Sequence, residues 1–229
     1  MIPIVSVVGK SNSGKTTLLE KLIADLSGRG YRVATVKHDV HGFEIDKEGK
    51  DSYRHKQAGS RAVVISSPNK IAIIEDLDQE QSLEQIRRRW IHTVDIILTE
   101  GYKRQSYPKI EVNLFQDPPE LLCSAADNLI AVVCRRPVMT EVPVFSETQI
   151  PALGDVLEER YLKPMRKPRV ELWNNEKPIP LNPFAETLIQ KTVQGILSAL
   201  KGSSPEGEVE IRMQGDAGKG KDASREGPG

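Results

Sequence analysis

The stretch Gly9-Lys10-Ser11-Asn12-Ser13-Gly14-Lys15-Thr16 decides how this chain is read. It fits G-x-x-x-x-G-K-[ST], two glycines, a lysine and a hydroxyl at set spacing. Before it runs Ile2-Pro3-Ile4-Val5-Ser6-Val7-Val8, an apolar and β-branched run that reads as a buried strand. After it, Leu18, Leu19, Leu22, Ile23 and Leu26 recur at helical spacing. Strand, glycine-rich turn and helix are the context this pattern requires.

The chemistry follows from the residue types. Gly9 and Gly14 allow a tight turn and a close approach of backbone to ligand. The loop N–H groups then face inward as an anion-binding nest, and the helix starting near Lys15 adds the positive end of its dipole. Lys15 reaches terminal phosphates as a point charge, and the Thr16 hydroxyl is suited to Mg²⁺. Thr17 follows on the same turn. A nucleoside triphosphate is the ligand class these residues imply. The base is left open, because the Asn/Thr-Lys-x-Asp guanine-reading pattern is missing. Asn69-Lys70-Ile71-Ala72 begins in that way but lacks the acid.

Composition bounds the rest. The 229 residues accommodate one α/β domain with appendages, or two small domains. Lys plus Arg and Asp plus Glu stand at 32 each, so no global basic field argues for nucleic acid. No apolar run is long enough to span a membrane. Met1-Ile2-Pro3 lacks the basic start of a signal peptide. Cys123 and Cys134 form no C-x-x-C pair and read as buried thiols, so the expected setting is the reducing cytoplasm.

Further along, Tyr31 to Val36 reads as a second strand ending at Lys37-His38-Asp39-Val40-His41. A polar loop runs to Lys50, and Asp51 reads as the N-cap of a short helix that stops near Gly59. Arg61–Ile65 and Lys70–Glu75 are apolar runs separated by Ser66-Ser67-Pro68-Asn69, the pattern of a hairpin. Ser82 caps a helix through Trp90. Val94 to Gly101 is the second functional stretch, a buried strand with Glu100 at its carboxyl end. Ligands in open α/β sheets bind outside the carboxyl ends of the strands, so Glu100 is the expected phosphate-side and metal-side acid. Asp95 begins that strand and is the weaker alternative. Leu129–Cys134 and Val142–Phe145 read as two more strands, followed by Arg135-Arg136-Pro137 and Ser146-Glu147-Thr148, the loops where such sheets hold the base. A helix from Leu153 to Leu162 closes the first part.

The expected organisation is a nucleotide-binding domain over 1–162, a C-terminal hairpin and amphipathic helix over 163–202, and a disordered tail over 203–229. The fold class is α/β, a mostly parallel P-loop-type sheet with helices on both faces. Asn182 and Pro183 start the last helix. Its apolar stripe packs either on the main domain or on a second subunit.

Together, several stretches resemble the molybdopterin-guanine dinucleotide biosynthesis adapter family, MobB. They are the P-loop, Thr35 to His41, Gly49-Lys50-Asp51-Ser52-Tyr53, Gln57-Ala58-Gly59, Leu98 to Lys103 and Pro180 to Phe184. The resemblance covers residues 1–202. It implies a GTP-binding protein of the dethiobiotin-synthetase-like branch, a dimeric adapter with weak GTPase activity at most. The partners it implies are the guanylyltransferase that joins GMP to molybdopterin, and molybdopterin or its molybdenum form. It implies that Asp51 and Glu100 flank Mg²⁺ with Thr16 and that Lys37 approaches the phosphates, making Lys37 and Glu100 the catalytic candidates. Gly9, Lys10, Ser11, Asn12, Ser13, Gly14, Lys15, Thr16 and Thr17 form the nucleotide-binding set. Lys10 also falls where some dimeric ATPases carry a lysine that reaches the partner's nucleotide. His38 and His41 read as metal or pterin contacts, or as polar loop residues. Two other readings stay open: a small-molecule kinase or ATP-dependent synthetase of the same branch, and a metal-delivery GTPase using the two histidines.

Overall fold

The computed structural model describes residues 2–39, 42–166, 170, 172–174, 177–202, 209 and 211. The chain divides into two compact units, Met1–Arg169 and Val170–Gly229. The expected disordered tail, apart from 209 and 211, lies outside the described residues, as does His41.

In the first unit, β1 (Ile4–Val8) leads into α1 (Lys15–Gly28), β2 (Val33–Lys37), α2 (Asp51–Gln57), β3 (Ala62–Ser67) and β4 (Lys70–Glu75). There follow α3 (Leu83–Trp90), β5 (Ile96–Glu100), β6 (Lys109–Asn113), β7 (Leu129–Cys134), β8 (Val144–Phe145) and α4 (Ile150–Leu157). Six strands form one sheet in the order β2-β5-β1-β6-β7-β8, and every neighbouring pair is parallel. The register sets Val7 beside Glu100 and Lys37 beside Glu100. All the carboxyl ends therefore open on one edge.

The strands are near-continuous apolar runs because both sheet faces are covered. On one face Val5, Val7, Leu98, Ile110 and Val112 pack with Leu18, Leu22 and Leu26 of α1 and Leu153 and Leu157 of α4. On the other, Ile4 and Ile97 meet Leu83 of α3, while Val8, Val132 and Cys134 meet Cys123. Each such leucine contributes about 1.5–3 kcal/mol by leaving water. Cys123 and Cys134 are free and buried, and burial raises the Cys123 thiol pKa.

Three local readings need correction. Lys109-Ile110-Glu111-Val112-Asn113, not expected as a strand, is β6, at the sheet's centre. Its alternating polar residues suggest one wet face, but all five are buried. The charges replace water with main-chain partners. Lys109 donates to the carbonyls of Gln105, Tyr107 and Asp127, at 2.5, 3.3 and 2.6 Å. Glu111 accepts the N–H groups of Leu122 and Cys123 at 2.6 and 2.9 Å. Desolvation nevertheless raises the Glu111 carboxyl pKa, with the two N–H groups opposing it. Second, Lys50 is the N-cap of α2, with Asp51 in its first turn. Third, α4 passes at Glu158 into a π-helical turn, Glu158–Leu162.

The β3–β4 hairpin is tighter than expected, its antiparallel pairing reaching Ser67 and Lys70 around Pro68-Asn69. Ser82 caps α3 in a reciprocal capping box with Gln85. In the second unit, β9 (Leu172–Asn174) pairs antiparallel with β10 (Lys177–Ile179), and α5 (Pro183–Ala199) follows. The Asn182 side chain accepts from the Ala185 N–H at 2.8 Å, which fixes the start of α5.

Replacing Glu111 by Ala strands the buried Cys123 N–H and the partly buried Leu122 N–H, at about 1–3 kcal/mol for a buried group. The Glu111→Ala variant is expected to lose about 3 kcal/mol of stability in urea unfolding. A loss below about 0.5 kcal/mol would show that the Leu122–Cys123 turn re-solvates freely.

Candidate functional site

The turn after β1 is bolted to the exit of β6. The Leu114 N–H donates to the Ser13 carbonyl at 3.1 Å. Gly9 has φ +151°, and a Cβ there would stand 2.5 Å from both Ser13 Oγ and the Val112 carbonyl. Gly14 has φ +99°, and a Cβ there would stand 2.7 Å from Leu114 Cδ1. Both positions exclude a side chain by space as well as by backbone conformation. Asn12, also left-handed at φ 57°, completes the turn.

The first turn of α1 carries neither a side-chain cap nor an acidic residue. Its orphan N–H groups and dipole therefore lack a cap or an acid from the helix itself. Lys15 Nζ folds back onto the loop, donating to the carbonyls of Lys10 at 2.7 Å and Gly9 at 3.3 Å. Those are neutral acceptors for a cation. An anion between the lysine and the helix start satisfies both better, so the residues fit a phosphate.

Thr16 Oγ1 donates to Glu100 Oε2 at 3.3 Å, bringing together two of the expected metal-side residues. Lys37 ends β2 alongside, in register with Glu100. The His38 N–H bonds the Glu100 carbonyl at 3.0 Å, and the Gly101 N–H bonds that of Val7 at 3.1 Å, which anchors the strand end. Asp51, the third expected ligand, is exposed in the first turn of α2, and no hydrogen bond among the described residues joins it to Thr16 or Glu100. Asp95 sits at the opposite edge, bonded to the Arg32 N–H at 2.7 Å and its guanidinium at 3.0 Å. His38 stacks on Tyr102, ring centres 4.7 Å apart, and its Nε2 lies 2.9 Å from Glu80. Among the described residues no cluster of three His, Cys, Asp or Glu side chains is arranged for a metal.

Lys10 points the other way, onto Glu120 at 2.6 Å, and that ammonium lowers the Glu120 carboxyl pKa. The pair borders a cavity of about 210 Å³ that also touches Ser13, Glu111, Asn113 and Phe115. Ser13 Oγ and Asn113 Oδ1 are buried there without hydrogen-bond partners among the described residues. This side of the loop is hidden in the sequence because its wall is built by the exit residues of β6, a strand whose polar alternation masks it. On the far side of Phe115, the Arg135 guanidinium lies 4.9 Å over the ring and forks onto Glu147.

A Gly14→Ala variant must either shift Leu114 or abandon the turn. The expected loss is about 2 kcal/mol or more, read as a lowered unfolding midpoint. An unchanged midpoint would mean that the turn is not held as described.

The chain matches the family model described as MobB, molybdopterin guanine dinucleotide synthesis protein B, over residues 4–135. It is 36% identical over 158 residues to the molybdopterin-guanine dinucleotide biosynthesis adapter protein of Haemophilus influenzae, covering 69% of this chain and 88% of that one. The protein of the same name from Escherichia coli is 34% identical over 167 residues, covering 69% and 93%. The crystal structure of Bacillus subtilis MobB superposes with a TM-score of 0.54 at 27% identity, over 69% of this chain and 98% of that one. With more than half of its length matched by the family model and a relative 36% identical over most of its own length, this chain belongs to the molybdopterin guanine dinucleotide synthesis protein B family.

Proposed function

We propose that this chain is a GTP-dependent adapter in molybdopterin-guanine dinucleotide biosynthesis. It binds GTP with Mg²⁺ at the turn between β1 and α1 and assists the guanylyltransferase that joins GMP to molybdopterin. The observation that carries this reading is the Lys15 ammonium, resting on loop carbonyls above an uncapped helix start. Loop residues Gly9 to Ser13 supply backbone N–H groups, and Lys15 meets the terminal phosphates. Thr17 lies in the same first turn. Thr16 and Glu100 would hold the metal, with Asp51 reaching them from the start of α2. A Mg²⁺ held there would supply positive charge against the phosphate oxygens. Lys37 adds a second cation at that edge, and any slow hydrolysis would rest on Lys37 and Glu100. The name adapter borne by the relatives supports a partner-directed role over turnover.

The same reading makes the protein a homodimer. Val64, Ile65, Ile71 and Ile73 of the β3–β4 hairpin are 57, 45, 62 and 38% exposed. A two-stranded hairpin with that much exposed apolar surface is marginal alone, and a second copy of the hairpin is the occupant that suits it. The buried thiols support a reducing, cytoplasmic setting. Among the described residues no helix is long and apolar enough to cross a membrane.

One observation favours a second reading, a small-molecule kinase. The cavity beside Lys10 and Asn113 is large enough for a second small ligand. A kinase consumes triphosphate stoichiometrically only when its acceptor is present, whereas an adapter hydrolyses slowly regardless.

Titration calorimetry with Mg²⁺ tests the proposal. GTP is expected to bind, and Lys15→Ala is expected to weaken it by about 2–3 kcal/mol with an unchanged unfolding midpoint. Equal affinity in that variant would remove the phosphate assignment. Glu100→Ala is expected to weaken the dependence on Mg²⁺ more than the affinity for GTP. An unaltered metal requirement would move the ligand role elsewhere. Recovery of the guanylyltransferase on immobilised protein, enhanced by GTP, is expected of an adapter, and no recovery in either state would exclude it.

A further inference from the structure

Phe115, Arg135 and Glu147 reach one spot from three different strand exits. Phe115 follows β6, with its ring against the P-loop: a Cβ on Gly14 would lie 3.4 Å from Phe115 Cε2. Arg135 follows β7, Glu147 follows β8, and Lys21 of α1 ties the last loop in by donating to the Glu147 carbonyl at 3.4 Å. The spot lies at the carboxyl edge of the sheet, beside the phosphate loop, on the side away from Glu100 and Lys37.

Phe115 is 61% exposed, and the Arg135 guanidinium lies over its ring, 4.9 Å from the ring centre. Arg135 Nε donates to Glu147 Oε1 at 3.0 Å and Nη2 donates to Glu147 Oε2 at 3.0 Å. The ion pair lowers the Glu147 carboxyl pKa, so both oxygens act only as acceptors at neutral pH. A planar group thus stacks on an aromatic ring while presenting two parallel N–H donors to a carboxylate. Guanine has the same edge, because its N1–H and exocyclic N2–H₂ embed a guanidine fragment. Adenine offers an acceptor at N1 and no adjacent donor at C2, so it cannot make this fork.

We propose that Phe115 and Glu147 form the guanine subsite of the nucleotide site, and that the Arg135 guanidinium occupies it in the free protein as an internal stand-in for the guanine edge. This rests on the GTP-binding reading above. A guanine nucleotide displaces Arg135 from Phe115 and takes over both acceptor oxygens of Glu147. Arg135 therefore competes with GTP, although it is a cation near a polyanion site. ATP receives no corresponding pair of bonds and is discriminated against.

The test is binding of GTP, ATP and XTP with Mg²⁺ to the full chain, by calorimetry, for the wild type and three surface variants. Glu147→Ala is expected to cut the GTP-over-ATP preference at least tenfold by weakening GTP alone. In Glu147→Gln, whose amide presents one acceptor and one donor, preference is expected to move to XTP, which presents N1–H and an oxygen at C2. Arg135→Ala is expected to bind GTP severalfold tighter, with ATP unchanged. Wild type that binds GTP while Glu147→Ala keeps its GTP-over-ATP ratio would overturn the subsite and leave the P-loop reading standing. Arg135→Ala that weakens GTP and ATP alike would make Arg135 a ligand contact and overturn the stand-in. Wild type that binds no nucleotide would overturn the P-loop reading and the subsite together.

Discussion

The close approach of the glycine-rich loop to the exit of β6 is the constraint on which the rest depends. Ser13 accepts the Leu114 N–H, and Gly9 and Gly14 leave no room for a Cβ against Val112 and Leu114. That approach requires β1 and β6 to be neighbours, hence a sheet in which β1 lies between β5 and β6. A parallel sheet of this order places Glu100 on one side of the loop and Asn113 on the other. Glu100, the turn after β1 and the lining of the cavity therefore come from three adjacent strand ends.

Helix α1 is held differently at its two ends. At its start, α1 has neither cap nor acid and meets Lys15, so positive potential is concentrated where the sheet opens. Just past its end, Arg29 pairs with Asp25, Asp155 and Glu158, and Tyr31 donates to Glu158 at 2.9 Å. The Arg29 pKa is raised, chiefly by the Asp155 hydrogen bond. This network fastens α1 to α4 and to the π-helical turn after it. With the far end fixed by charge and the middle by leucines, the uncapped start is rigidly presented to the site. The net charge of zero hides this arrangement, since the field is local.

Away from the sheet the chain is held by sparser contacts. The hairpin β3–β4 relies on Lys56–Asp76, Arg61–Asp78 and Arg89–Glu75 pairs, all at least partly solvated. Exposed pairs of this kind are worth about 0–1 kcal/mol each, so the hairpin is the natural low-stability element of the first unit. The glycine turn, by contrast, rests on β1, β5 and β6, which are buried almost throughout.

The sequence by itself determined the glycine turn between β1 and α1, because two glycines at set spacing between an apolar strand and a helical stripe leave the backbone few other courses. It also determined the parallel α/β class, the hairpin, the Ser82 and Asn182 helix starts, and Glu100 at a strand end with Asp95 at the opposite one. Only the tertiary structure decided the identity of β6. Lys109 and Glu111 look like solvent-facing residues until their main-chain partners, up to 18 positions away, are seen to replace water. The same holds for the meeting of Arg135 and Glu147, whose loops the sequence had marked, over Phe115, and for the pairing of Lys10 with Glu120. Periodicity reports which face of an element is apolar. It carries no record of which loops meet at the end of a sheet, because strand order is set by packing between segments distant in sequence.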